Sequence, residues 1–239
     1  MAARSSECHA GWAGGWWWHA RRRPSPHHGP RPRGTVIELA VVHSISLPPG
    51  EYGGPAIEAL FRGTLDCEAH PYYSRLQGLR VSAHFVVRRN GEVLQFVSCD
   101  RRAWHAGASR WRQREGCNDW SVGIELEGLE GDRFEPAQYA ALARLLRALT
   151  RRYPVREVVG HEHVAPGRKH DPGPGFDWRT LRSTLRSTPP SRDLWLIGDR
   201  PAAMRAVAAD RATGRSHGRD CRARPVPALP LGRRRLHYR

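Results

Sequence analysis

The sequence is almost without lysine. Its 239 residues carry 39 Lys and Arg together, and Lys169 is the one lysine among them. Arginine therefore serves almost everywhere that a solvated positive charge is needed. A single compact ammonium in such a chain marks a position that the planar guanidinium fork does not fill. Cysteine is sparse as well. The 5 cysteines are widely spaced, odd in number and contain no C-x-x-C pair. That excludes a disulfide framework and a cysteine-type zinc site, and scattered thiols fit a reducing compartment. Long apolar runs are missing too. No stretch approaches the ~18 residues of a membrane span, and no aliphatic segment follows the basic residues near the start. The expectation is a soluble cytoplasmic protein. No internal repeat is visible.

Positive charge is plentiful but unevenly placed. Of the formal net charge of +16, residues 187–239 contribute +8 and residues 1–33 contribute +5, leaving +3 for the body. Helix-turn-helix, zinc-finger and RNA-recognition signatures are absent. Dedicated nucleic-acid recognition is therefore not expected, although the ends would attract anionic polymers without specificity.

The length suits one domain with extensions. Residues 1–14 are small and polar and read as a flexible start. Residues 20–33 are rich in Arg, Pro and His and read as an extended arm, with the neighbouring tryptophans as a staple onto the body. Thr35 to His43 predicts a strand, and its apolar run from Leu39 to Val42 predicts burial on both faces. The Pro/Gly-rich segment 46–54 is a loop, and Pro55 to Arg62 a short helix with Pro in its first turn. Leu79 to Arg89 and Glu92 to Val97 flank Asn90-Gly91, which predicts a hairpin with a type I′ turn. Ser121 to Leu126 is a further strand. Pro136 to Tyr153 is an amphipathic helix with Tyr139, Leu142, Leu146, Leu149 and Tyr153 on one face. Glu157 to His161 is a strand, and Asp177 caps a final helix that runs to Leu185. Beyond Ser187 no core period persists, so residues 187–239 read as a mostly disordered tail with one short helix near 202–209. The fold class is α/β: a single domain with a central mixed β-sheet flanked by helices.

The chemistry concentrates after the last of those strands. His161 is followed by a Pro/Gly-rich loop carrying Lys169 and Asp171. An imidazole and a carboxylate are both good Zn²⁺ ligands, and a catalytic zinc takes three protein ligands and keeps one open position. His43, at the end of its own apolar strand, is the best third donor. His163 forms an H-x-H with His161 and is a rival. His70, His84 and His105 are further imidazoles with an equally ordinary reading as hydrogen-bonded interior side chains. Glu125 closes an apolar strand and could handle protons. Glu127, two residues on, has the same orientation, and spacing does not choose between them. Lys169 could stabilise an oxyanion. These residue types point to a zinc hydrolase, though no spacing here is as specific as H-E-x-x-H.

Several stretches, in order, resemble a known family: Pro24-Ser25-Pro26-His27, Val41-Val42-His43, Ser46-Leu47-Pro48-Pro49-Gly50-Glu51, Arg80-Val81-Ser82-Ala83-His84, Arg102-Ala103-Trp104-His105-Ala106-Gly107, Cys117-Asn118-Asp119, Gly123-Ile124-Glu125-Leu126-Glu127-Gly128 and Lys169-x-Asp171-Pro172-Gly173-Pro174. They resemble the AmpD-type 1,6-anhydro-N-acetylmuramyl-L-alanine amidases, zinc enzymes that share a fold with peptidoglycan-recognition proteins. The resemblance spans about residues 15–186 and implies the zinc amidase domain there. It implies His43, His161 and Asp171 as metal ligands, Glu125 and Lys169 as catalytic groups, and Arg80, Ala103, Trp104 and Ser44 at the substrate cleft. Ser44 stands where the family usually has Asn, which bears on fine specificity. His170 also departs from the small polar residue usual there. The implied substrate is an anhydromuropeptide, cleaved between muramic acid and L-alanine during cell-wall recycling in the cytoplasm. No membrane and no obligate protein partner are implied. Two rivals remain: a non-catalytic muropeptide-binding module of the same fold, and an anionic-polymer binder driven by the tail.

Overall fold

Leu39 to Val42 contains no polar alternation, and all four residues are completely buried. The strand therefore lies between two packed layers, as its composition predicts. The computed structural model describes residues 11–187 and 194–197, and the elements below are those of the described residues. Seven strands form one mixed sheet: β1 (Arg21–Arg22), β2 (Leu39–Ile45), β3 (Phe85–Val87), β4 (Val93–Gln95), β5 (Ser121–Glu127), β6 (Glu157–Gly160) and β7 (Trp195–Leu196). Their order across the sheet is β7-β6-β2-β5-β3-β4-β1. Every neighbouring pair is parallel except the β3–β4 hairpin.

Five α-helices complete the layers: α1 (Ala56–Arg62), α2 (Cys117–Trp120), α3 (Pro136–Arg152), α4 (His161–Val164) and α5 (Trp178–Arg186). Alternation along the strands decides which helix each residue meets. Ala40, Val42, Val122, Ile124 and Leu126 face Leu142, Leu146 and Leu149 of α3 and Leu181 and Leu185 of α5. Leu39 and Val41 face the other way, toward Cys117, Trp120 and Val164 of α2 and α4. α1 packs Ile57, Leu60 and Phe61 on Val86 and Leu94. Each buried Leu or Phe contributes ~1.5–3 kcal/mol of transfer free energy, so the amphipathic period of α3 is what seals one side of the sheet. Asp177 caps α5 as expected, its carboxylate accepting from the Arg179 amide at 2.8 Å.

Three expectations are corrected. Trp12 is buried and pairs with Trp17 in a small hairpin. Its ring meets Phe85 and Tyr153 edge-on at 6.4 and 5.8 Å. The ordered structure thus begins before residue 15, because one indole covers enough apolar surface to anchor the flanking chain. The rest of the arm is extended and docked, through β1 and through His28–Gly29 paired with Arg102–Ala103. At the other end, β7 adds to the sheet beside β6, so part of the segment read as tail belongs to the fold. The short helix expected near 202–209 lies outside the described residues.

The third correction is the β3–β4 turn. Arg88 donates to the Glu92 carbonyl at 2.9 Å and Gly91 to the Arg88 carbonyl at 2.8 Å, so three residues form the loop. Gly91 has φ +83°, whereas Asn90 is not in the positive-φ region that a type I′ turn requires at both centres. The Asn90 side chain instead accepts from the Glu92 amide at 2.9 Å. A Cβ on Gly91 would also lie 2.9 Å from the Ala137 carbonyl oxygen. Gly91→Ala is expected to destabilise the protein by ~1–3 kcal/mol. An unchanged urea midpoint would refute this turn.

Glu127 ends β5 as a buried carboxylate with both oxygens engaged. It accepts from Arg88 Nη1 at 2.7 Å, from the Gly53 amide at 2.7 Å and from the Arg89 amide at 3.2 Å. It thus ties the 46–54 loop and the hairpin to the sheet. Glu127→Ala would strand the Arg88 guanidinium in a poorly hydrated position, and a loss of ~3–5 kcal/mol in denaturant unfolding is expected.

Candidate metal centre and cleft

The parallel register sets the site. Glu125 of β5 lies opposite His43 of β2, and Gly160 of β6 lies opposite Val42. The carboxyl ends of three adjacent strands therefore deliver Glu125, His43 and the residue after Gly160, which is His161. Ligand sites in open α/β sheets form at this edge. The chain turns into α4 at His161 rather than continuing as strand. The following loop returns Asp171, whose carbonyl accepts from the Glu162 amide at 2.9 Å.

Three donor atoms converge there. His43 Nδ1 lies 2.9 Å from His161 Nδ1 and 3.1 Å from Asp171 Oδ2, and His161 Nδ1 lies 3.1 Å from the same oxygen. All three residues are buried, and together they are able to hold a metal ion. Burial holds the His43 imidazole down to a pKa of about 4, which leaves it neutral. Burial alone would raise the Asp171 carboxyl, but hydrogen bonds to His161 and His43 outweigh it and hold the group far below its usual value. A neutral nitrogen on His43 and an anionic oxygen on Asp171 are protonation states that metal binding needs.

Glu125 sits beside this cluster with its Oε2 buried and without a partner among the described residues. Burial, and secondarily the Asp171 charge, push its carboxyl well above the ordinary range, against the pull of Lys169. Glu125 and Glu127, alike on alternation alone, differ in their surroundings: Glu127 accepts three hydrogen bonds, and Glu125 Oε2 accepts none among the described residues. His163 is not part of the cluster. Because His161 starts a helix, a side chain two residues on faces elsewhere. His163 Nδ1 accepts from the Gly160 amide at 2.9 Å, and its ring packs edge-on against Trp178. His70 accepts from the Tyr72 amide, away from the centre. His84 accepts the Gly123 amide on Nδ1 at 3.0 Å and faces the Arg101 carbonyl at 3.0 Å through Nε2. His105 lies against the cluster, its Nδ1 3.0 Å from His43 Nε2.

The remaining predicted residues are more dispersed. Lys169 and Arg80 are exposed. Trp104 stacks parallel to His27 at 6.3 Å. Ala103 is completely buried in its short β-pair, so its side chain offers no surface to a ligand. Ser44 is half-buried, and strand alternation turns it to the face opposite His43. Arg31 had no signal in the sequence beyond its place in the arm. Its guanidinium reaches the carbonyls of Cys99, Asp119 and Ser121 at 3.0, 2.6 and 2.9 Å, clamping the arm to the start of β5.

Residues 33–174 match the family model for N-acetylmuramoyl-L-alanine amidase. The chain is 53% identical over 173 residues to the 1,6-anhydro-N-acetylmuramyl-L-alanine amidase AmpD of Citrobacter freundii, covering 72% of this chain and 92% of that one. It is 54% identical over 170 residues to the AmpD of Escherichia coli K12, covering 70% and 93%. A crystal structure of a selenomethionine AmpD derivative superposes with a TM-score of 0.70 at 52% identity, covering 72% of this chain and 97% of that one. The solution structure of Citrobacter freundii AmpD gives 0.55 at 50% identity, covering 76% and 98%. With its sheet-edge cluster matched by that degree of likeness in sequence and fold, this chain belongs to the N-acetylmuramoyl-L-alanine amidase family.

Proposed function

We propose that the chain hydrolyses the amide between 1,6-anhydro-N-acetylmuramic acid and the L-alanine of peptidoglycan stem peptides, as a zinc enzyme of cell-wall recycling. The observation that carries this reading is the convergence of His43, His161 and Asp171 beside an unpartnered Glu125. The names of the AmpD relatives support the substrate. Zinc suits the donor set. Ligand atoms ~2.0–2.2 Å from a tetrahedral ion lie about 3.3–3.6 Å from one another, and the separations of 2.9, 3.1 and 3.1 Å are within a few tenths of an ångström of that. The free thiols of Cys67, Cys99 and Cys117 are in keeping with a reducing cytoplasm.

When bound, zinc supplies a Lewis acid and allows water to act as a nucleophile at neutral pH. Glu125 then takes the proton from the attacking water and returns it to the alanine nitrogen as the C–N bond breaks. A carboxyl raised by burial is suited to both directions of that transfer. Lys169 donates to the carbonyl oxygen as it gains negative charge. Arg80, which has no ion pair among the described residues, is available to a peptide carboxylate, and Trp104 to the sugar ring. A non-catalytic binding module is disfavoured, because such a module has no need of a buried, unpaired carboxylate next to three convergent donors.

Mass spectrometry of anhydromuropeptide after incubation should show free stem peptide and anhydromuramic sugar. Exhaustive chelation should abolish the products and added Zn²⁺ restore them; full turnover without metal would refute the zinc role. For Lys169→Arg, turnover should fall by about 10²-fold while zinc content is retained. Wild-type turnover in that variant would remove Lys169 from the reaction.

A further inference from the structure

Three residues of the matched stretches 102–107 and 117–119, His105, Ala106 and Asn118, take no part in the reaction described above, yet His105 and Ala106 lie against the ligand histidines and Asn118 holds both of them. A histidine that binds metal through Nδ1 must carry its proton on Nε2, and something must accept that proton. In this structure the acceptors for both ligands come from adjacent residues of one segment. His43 Nε2 lies 3.0 Å from His105 Nδ1, and His161 Nε2 lies 3.3 Å from the Ala106 carbonyl oxygen. The Asn118 side-chain oxygen holds the backbone of that segment, accepting from the His105 amide at 3.1 Å and the Ala106 amide at 2.8 Å.

The proton positions along the His43 branch follow from its far end. Ser121 Oγ lies 2.6 Å from the Cys117 carbonyl oxygen, which only accepts, so the hydroxyl donates there. Ser121 Oγ then accepts from His105 Nε2 at 3.2 Å. That places the His105 proton on Nε2 and leaves Nδ1 bare. A bare Nδ1 accepts from His43 Nε2–H, and His43 Nδ1 is left with its lone pair toward His161 and Asp171. The seat for the His105 ring is Gly123, where a Cβ would come within 2.3 Å of the ring.

We propose that His105 is a positioning residue for the metal centre, oriented by Ser121 and Asn118, that holds His43 in the ligand tautomer. This rests on the reading of His43, His161 and Asp171 as metal ligands. Neither substrate nor metal contact is required of His105 itself. The chain of bonds also explains why a glycine, a serine and an asparagine with no reaction chemistry of their own are needed around it.

The test compares zinc dissociation constants, by chelator competition, for the wild type, His105→Leu, His105→Gln and His105→Asn. An Asn side chain can put an acceptor oxygen where Nδ1 sits, whereas Gln reaches toward Ser121 instead and Leu restores neither. Zinc binding should weaken ~10–100-fold in the Leu and Gln variants and stay within about threefold of wild type in the Asn variant. Long-range ¹H–¹⁵N spectra of the zinc-loaded wild type should show His105 protonated on Nε2 with Nδ1 bare. Wild-type zinc affinity in the Gln variant, or a His105 proton on Nδ1, would overturn the proposal. Should the Leu variant fail to fold, the Gln and Asn pair and the wild-type spectrum still decide. A wild type that takes up no zinc would instead overturn the ligand assignment, so the two failures are distinguishable.

Discussion

Three lone-pair donors are held about 3 Å apart in a place that water barely reaches. Left alone, such an arrangement is unfavourable. The Asp171 carboxylate loses hydration, and the two facing imidazole nitrogens repel unless a proton or a cation lies between them. The surrounding structure has to supply the rigidity that keeps them together. It does so by pairing the strand of His43 with β6, by starting α4 on His161 directly after β6 and by tying the Asp171 carbonyl to the Glu162 amide, so that all three positions are fixed by backbone hydrogen bonding. A divalent cation bound there would turn this repulsion into binding energy.

The layers around the sheet serve the same edge. α3 and α5 bury one face completely, which leaves the other free to combine packing with chemistry. On that second face, apolar residues of β2 give way to His43, and residues of β5 give way to Gly123, Glu125 and Glu127. Each of the last three has a different duty. Gly123 makes room for an imidazole, Glu125 keeps an unpaired oxygen beside the cluster, and Glu127 anchors the neighbouring loop and hairpin. Strand alternation put these three residues on one side, but only their surroundings separated a carboxylate with an unpartnered oxygen from one with both oxygens engaged.

The departures from expectation have physical causes. A type I′ turn at Asn90-Gly91 is a sound local reading, yet register at the β3–β4 pair admitted one more residue, so only Gly91 takes positive φ. Trp12 and the β7 strand lie in segments whose composition suggests disorder, and both are held by contacts with parts of the chain far away in sequence. For those two segments a long-range contact overrode a local preference.

The sequence by itself determined the main strands and the helices α1, α3 and α5, because burial on one or two faces leaves a period of two or 3.6 in the residue order; the four-residue helices α2 and α4 beside the site are too short to leave one. It also determined the kinds of residue available, down to the solitary lysine, and the matched stretches singled out His43, His161, Asp171 and Glu125 as candidates. Tertiary structure decided how these act together. His43 meets His161 across 118 residues and Asp171 across 128, and no local period encodes the register that joins them. The same holds for His105, Asn118 and Ser121. Each reads as an ordinary polar residue until folding brings its donors and acceptors into one chain, because a hydrogen bond exists only between atoms already in place.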